Sequence, residues 1–227
     1  MSFLEQAFLH SIARDNFEVL FDIEALMTAQ IRLHGVPLSG HAHKVEMLLR
    51  LLDLPFDYVE AGRDERQSDA FARLNPLRQI PVLEDGEVVL ADSNAILVYL
   101  ARRYDSDGPW LPADPLAAAQ VQRWLSISAG EIKFGPANAR AVHLFGNPTN
   151  LADAQAVAVR LLGFMDAELA TRDWLAGPGP TLADIACYPY ISTAPEGDID
   201  LTPYAHVRAW IGRVEALPRV KPMPRAA

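Results

Sequence analysis

The sequence predicts an α/β lobe with a mixed four-stranded sheet, followed by an all-helical lobe. Three observations predict it. Strand-like runs occur only before residue 105, interleaved with helical patterns in the order strand–helix–strand, helix, strand–strand–helix. A Pro-, Gly- and Asp-rich stretch at 105–115, DSDGPWLPADP, then punctuates the chain. Beyond it, apolar residues recur only at helical spacing.

The elements follow in order. Residues 1–29 carry loosely helical apolar positions, from Leu4 and Phe8 to Ile23 and Met27, with acidic residues scattered among them. No apolar core is present, so this is not a secretory signal. Ile31–His34 alternates as a first strand, and Gly35-Val36-Pro37-Leu38 is a turn. Ser39 precedes a helix to Leu52 whose Val45, Leu48, Leu49 and Leu52 make an apolar stripe aimed at a sheet. Phe56–Glu60 alternates as a second strand, and Ser68–Leu74 reads as a short helix. Ile80-Pro81-Val82-Leu83 is a β-type run. Asp85-Gly86 is a tight turn, because Gly accepts positive φ, and Val88–Leu90 returns antiparallel. Pro81 has no N–H for a ladder, which places it at a strand's first residue or an edge. A cis bond there would leave the Ile80 backbone free to bind something. Asp92-Ser93 opens a helix carrying Ile96, Tyr99 and Leu100 on one face. Two parallel strands joined by a helix, then a hairpin, give the mixed sheet.

In the second half Leu116, Ala119, Val121, Trp124 and Leu125 follow helical spacing, as do Val157, Leu161, Phe164, Met165 and Leu169. Gly177-Pro178-Gly179-Pro180 breaks the chain, and Thr181-Leu182-Ala183-Asp184 is a capping box in which Asp takes the usual Glu place. Val207, Trp210, Ile211 and Val214 mark a final helix from Tyr204 to Leu217.

Composition narrows the function. A net charge of -9 and pI near 5.1, with no basic stripe, argue against nucleic acid and against an anionic membrane surface. No apolar run approaches the roughly 18 residues that span a bilayer. Cys187 is the one cysteine of 227 residues, which excludes an internal disulfide and a C-x-x-C pair and fits a reducing compartment. His41 and His43 are two apart, but no acidic cluster has metal spacing, and no metal is assigned. Cys187, in the apolar TLADIACYPYI segment, reads as a small buried residue.

The strings NPLRQIPVLEDG and ADSNAILVYLARRY, with TLADIACYPYI in the second half, resemble the cytosolic glutathione transferases, over roughly residues 30–220. The resemblance implies a thioredoxin-like, glutathione-binding domain at 30–104, a linker at 105–115 and a helical domain at 116–227. Residues 1–29 would be an extension outside the catalytic fold, so a chain starting at Met27 is expected to fold and act. It implies glutathione and a small electrophile as substrates, and a cytoplasmic homodimer. By match to the family, Pro81 is a cis-proline and the backbone of Ile80 pairs with the cysteinyl part of glutathione. Asp92 and Ser93 hold its γ-glutamyl end, and Arg78 and Gln79 point to its glycine carboxylate or peptide backbone. Helix logic agrees for Ser93, since first-turn N–H groups suit an α-carboxylate; the plain alternative is a helix cap.

The chemical task of such a site is to ionise a thiol of pKa about 8.5. Two units of lowering need about 2.7 kcal/mol of preference for S⁻. A hydroxyl donor at a helix N-terminus supplies that, and Ser39 in LSGHAHKV stands where the serine-type loops of the family carry their activating serine. Ser39 alone would read as an N-cap. His41 and His43 are the rival groups for polarising the sulfur. The electrophile pocket is expected between the lobes, against Leu38, Trp124, Phe134 and His143. Glutathione-dependent peroxide or disulfide reduction, thiol-assisted isomerisation, and a non-catalytic binding protein remain alternatives on the same fold.

Overall fold

The computed structural model describes residues 31–226; the extension expected at 1–29 lies outside the described residues. β1 (Ile31–Gly35) sits inside a sheet of order β2-β1-β3-β4. β2 (Phe56–Glu60) runs parallel to it, pairing Ile31 with Phe56 and Gly35 with Glu60. β3 (Val82–Asp85) runs antiparallel on its other side, with Leu33 opposite Leu83, and β4 (Val88–Ala91) completes the hairpin. Gly86 has φ +59 at the hairpin tip, as the Asp85-Gly86 reading requires. β3 begins at Val82 rather than Ile80, because Pro81 cannot donate to the ladder and the Ile80–Pro81 peptide bond is cis.

α1 (Gly40–Leu51) buries Val45, Leu48 and Leu49 completely, as its stripe requires. Between β2 and β3 the chain makes two short helices rather than one, α2 (Arg63–Gln67) and α3 (Asp69–Leu74). Ser68 separates them and caps α3, its Oγ accepting from Phe71 N at 3.1 Å. α4 (Ser93–Tyr104) follows the hairpin, and Tyr99 and Tyr104 both donate their hydroxyls to Asp85 Oδ2.

The helical lobe holds α5 (Pro115–Ile127), a π-helical segment (Ser128–Ala137), α6 (Asn138–Phe145), α7 (Leu151–Leu169), α8 (Leu182–Ser192), a 3₁₀ turn (Ala194–Gly197) and α9 (Ala205–Glu215). Leu116 and Ala119 are exposed in the first turns of α5, and Val121, Trp124 and Leu125 form its buried seam. α8 is buried along its whole length and packs on both α1 and α5, so it joins the lobes. Between them runs a polar seam. Lys44 Nζ donates to Asn94 Oδ1 (3.1 Å) and Ser128 Oγ (3.0 Å), Ser128 Oγ donates to the Ala186 carbonyl, and Asn94 Nδ2 donates to the Leu125 carbonyl. Burial pulls the Lys44 ammonium down to about 8.

Candidate active site

A cavity of about 440 Å³ opens between the lobes. The first lobe contributes Val36, Leu38, Ser39, His41, Arg66, Gln79 and Ile80 to its wall. The helical lobe contributes Lys133, Ala137, Arg140, Ala141, Phe145 and Tyr190.

The β1–α1 turn sets the centre. Ser39 N donates to the Val36 carbonyl at 2.9 Å, closing the turn, and Ser39 Oγ accepts from Ala42 N at 3.2 Å as the N-cap of α1. A capping hydroxyl spends a lone pair and keeps its proton, so Ser39 still has an O–H to donate. The first turn of α1 holds no acidic residue, which leaves its positive end unneutralised at the cavity. Tyr190 packs its ring directly on Gly40, where a Cβ would come within 2.7 Å of it. Its hydroxyl is pushed up to about 12 by burial.

His41 stands edge-on to Tyr190, ring centroids 5.0 Å apart, and its Nδ1 lies 3.4 Å from Ser93 Oγ. Burial first, then Lys44 and Lys133, hold it down to about 3, so it is neutral at working pH. His43 is not at the site. Two residues apart on an α-helix means opposite faces, and His43 is buried towards Tyr188, its Nε2 without a partner among the described residues.

The second edge comes from the segment before β3. Gln79 is exposed and lines the cavity, its carbonyl accepting from Asn75 Nδ2 at 2.9 Å. Ile80 lines it next to the cis Pro81, and no hydrogen bond among the described residues uses the Ile80 backbone. Arg78 does not reach the cavity. With φ +54 it turns back, donating to the carbonyls of Arg66 (3.2 Å) and Ser68 (3.0 Å), with Asp69 at 3.8 Å. It ties its loop to α2 and α3, and Arg66 is the cation that faces the cleft on this side.

Asp92 and Ser93 lie beyond the cavity wall, at the start of α4, with Ser93 reaching the wall only through His41. Asp92 is exposed with φ +72, and its Oδ1 alone caps the helix, accepting from Asn94 N and Ala95 N at 2.9 Å each. Of the residues expected on the electrophile side, Leu38 lines the cavity. Trp124 does not: it is fully buried, stacked on Phe164 at 5.5 Å. Phe134 is 60% exposed and off the wall, and His143 pairs with Asp198 on the surface at 2.9 Å. The wide π turn accounts for the position of Phe134. It presents Lys133 and Ala137, not Phe134, to the cleft. Arg66, Lys133, Arg140 and Tyr190 carry no local sequence signal, because packing alone brings them here.

Comparison with known proteins agrees with this geometry. The profile of the glutathione S-transferase N-terminal domain matches residues 33–110, and that of the C-terminal domain matches 147–218. Glutathione S-transferase 3 of Zea mays is 33% identical over 205 residues, spanning 84% of this chain and 91% of the relative. Maleylpyruvate isomerase of a Ralstonia species is 30% identical over 208 residues, 85% of this chain and 97% of the relative. The crystal structure of a glutathione S-transferase from Pseudomonas fluorescens superposes with a TM-score of 0.79 at 32% identity, covering 85% of this chain and 98% of that one. The fold and cleft define a two-domain protein with a thioredoxin-like first domain and a helical second domain. The chain belongs to the glutathione S-transferase family.

Among the described residues no group of three or more His, Cys, Asp or Glu is placed to hold a metal ion, and no helix is long and apolar enough to cross a membrane.

Proposed function

We propose that this protein is a glutathione transferase that ionises the glutathione thiol at Ser39 and directs the thiolate at a small electrophile. One observation carries the reading: the Ser39 hydroxyl caps a helix whose positive end has no acid beside it, and both face the cavity that Ile80 lines. Ser39 donates its O–H to the sulfur, and the α1 N-terminus adds its partial positive charge. The cysteinyl part of glutathione pairs with the free backbone of Ile80. Asp92 Oδ2, which no hydrogen bond among the described residues uses, takes the γ-glutamyl ammonium, and the Ser93 hydroxyl, at the positive end of α4, takes its carboxylate. Gln79 and Arg66 take the glycine end. The second substrate lies against the helical wall. The enzyme works as a cytoplasmic homodimer, a statement carried by resemblance and checked by light scattering on the eluting peak.

The test is a parallel assay with a chlorinated nitroaromatic, an organic hydroperoxide, a mixed disulfide and maleylpyruvate, each with glutathione. Conjugation of the aromatic by wild type, lost in Ser39→Ala, supports the reading. Turnover of only another member of the panel would replace it with reduction or isomerisation. Failure to be retained on immobilised glutathione would mark a non-catalytic relative.

A further inference from the structure

The helical wall of the cavity is unusual for a surface meant to receive a neutral apolar molecule. Lys133, Ala137, Arg140, Ala141 and Phe145 follow one another down the π-helical segment and α6. Arg140 is only 2% exposed. Its Nε donates to Glu196, its Nη1 donates to the Leu38 carbonyl at 2.6 Å, and its Nη2 has no partner among the described residues. A buried donor left without an acceptor costs about 1–3 kcal/mol, and a ligand oxygen would remove that cost. Glu196 offsets the Arg140 charge, but Lys133 has no ion-pair partner among the described residues. Its Nζ donates to Asn138 Oδ1 at 2.6 Å and keeps two further N–H groups. Half-buried, Lys133 is pulled down by desolvation, a shift that an adjacent anion would reverse. No residue lining the cavity is acidic, and His41 and Tyr190 are neutral there.

We propose that the electrophile carries an anionic group, of carboxylate type, held by Lys133 and the spare nitrogen of Arg140, while its apolar body lies against Leu38, Ala137 and Phe145. The assignment rests on the conjugation reading and names the substrate class of that site. The negative group anchors one end of the molecule and aims its electrophilic carbon at the sulfur beside Ser39. With an aryl chloride, the thiolate attacks the ring carbon, the C–S bond forms, the C–Cl bond breaks, and chloride leaves with the electron pair. The thiol proton has already gone to solvent. Arg66, on the opposite wall, is left to glutathione.

The test compares a chlorodinitrobenzoate with the corresponding neutral benzamide, each kcat/KM divided by the uncatalysed rate constant. Wild type is expected to favour the benzoate at least about tenfold, which is about 1.4 kcal/mol. Lys133→Gln is expected to reduce that preference about tenfold through KM for the benzoate, and Lys133→Arg to retain it. Arg140→Lys, which keeps a charge for Glu196, is expected to reduce it as well. A wild-type ratio near one, or a ratio unmoved by Lys133→Gln, overturns the proposal. So does a Lys133→Gln variant that raises KM for glutathione equally with both electrophiles, since the ammonium would then belong to glutathione. If neither compound is conjugated, the activity reading fails and calorimetry decides the anion site. Dinitrobenzoate bound at least about tenfold more tightly than dinitrobenzamide, in wild type and not in Lys133→Gln, supports it; equal binding ends it.

Discussion

Two helices of this protein begin with a hydroxyl residue and an aspartate, and the two starts do opposite work. At α8, Asp184 is fully buried and both its oxygens are used. Oδ1 accepts from Leu175 N (3.0 Å) and Trp210 Nε1 (2.9 Å), and Oδ2 accepts from Thr181 N (2.9 Å) and Thr181 Oγ1. At α4, Asp92 is exposed, sits at φ +72 and uses one oxygen only. A carboxylate with every lone pair matched inside the core holds the fold; one at the surface with an idle oxygen keeps an acceptor for the proposed contact with glutathione. Ser39 falls between them, its lone pair committed to α1 and its proton uncommitted.

The contrast is sharpest at Asp184. Asp184→Ala strands the Trp210 and Leu175 N–H groups, each worth about 1–3 kcal/mol, and removes a cap worth about 1. The expected loss is about 3 kcal/mol or more by urea denaturation; a midpoint close to wild type would show that the capping box is not what secures α8. Ser39→Ala comes next. It removes one charge-assisted donor, about 1.5–3 kcal/mol, so kcat/KM should fall about 10- to 100-fold at neutral pH while stability drops about 1 kcal/mol. Asp92→Asn keeps an oxygen for the cap and loses the charge. It should raise KM for glutathione about tenfold and shift Tm by under about 2 °C; a large Tm loss with unchanged KM would make Asp92 the structural cap and undo the contrast.

A last effect is one of pH. His41 and His43 are held neutral by burial, down to about 3 and about 4 from the ordinary 6.5. Below 6.5 the unfolded chain binds protons that the folded chain refuses, so stability present above that pH is lost as pH falls towards 4 and then 3. The slope per histidine is at most about 1.4 kcal/mol per unit. His43→Gln should flatten it, measured as the urea midpoint between pH 7 and pH 5. An unchanged slope would mean that His43 takes up its proton in the folded state.

Those pairs also show what was legible in the sequence. Thr181-Leu182-Ala183-Asp184, Asp85-Gly86 and the Val45–Leu48–Leu49 stripe act through neighbours within a few residues, and the structure places them as their pattern predicts. The alternation at Ile31 and Leu33 likewise marks the buried face of β1, with Arg32 exposed between them. The turn of Arg78 back onto its own loop is not legible, because sequence position cannot reveal a positive φ. Trp124 and Phe134 are apolar residues in the segment expected to face the cleft, yet core packing takes the first and the π turn exposes the second. Lys133, Arg140 and Tyr190 meet Ser39 only through the docking of one lobe on the other, across about 90–150 residues of chain.

Everything here turns on the Ser39 proton. The direct measurement is a titration of enzyme-bound glutathione followed by its ultraviolet thiolate absorbance, in wild type and in Ser39→Ala. The bound thiol should ionise about two units below its free value of about 8.5 in wild type and return towards that value in the variant. The same depressed pKa in both proteins would contradict it.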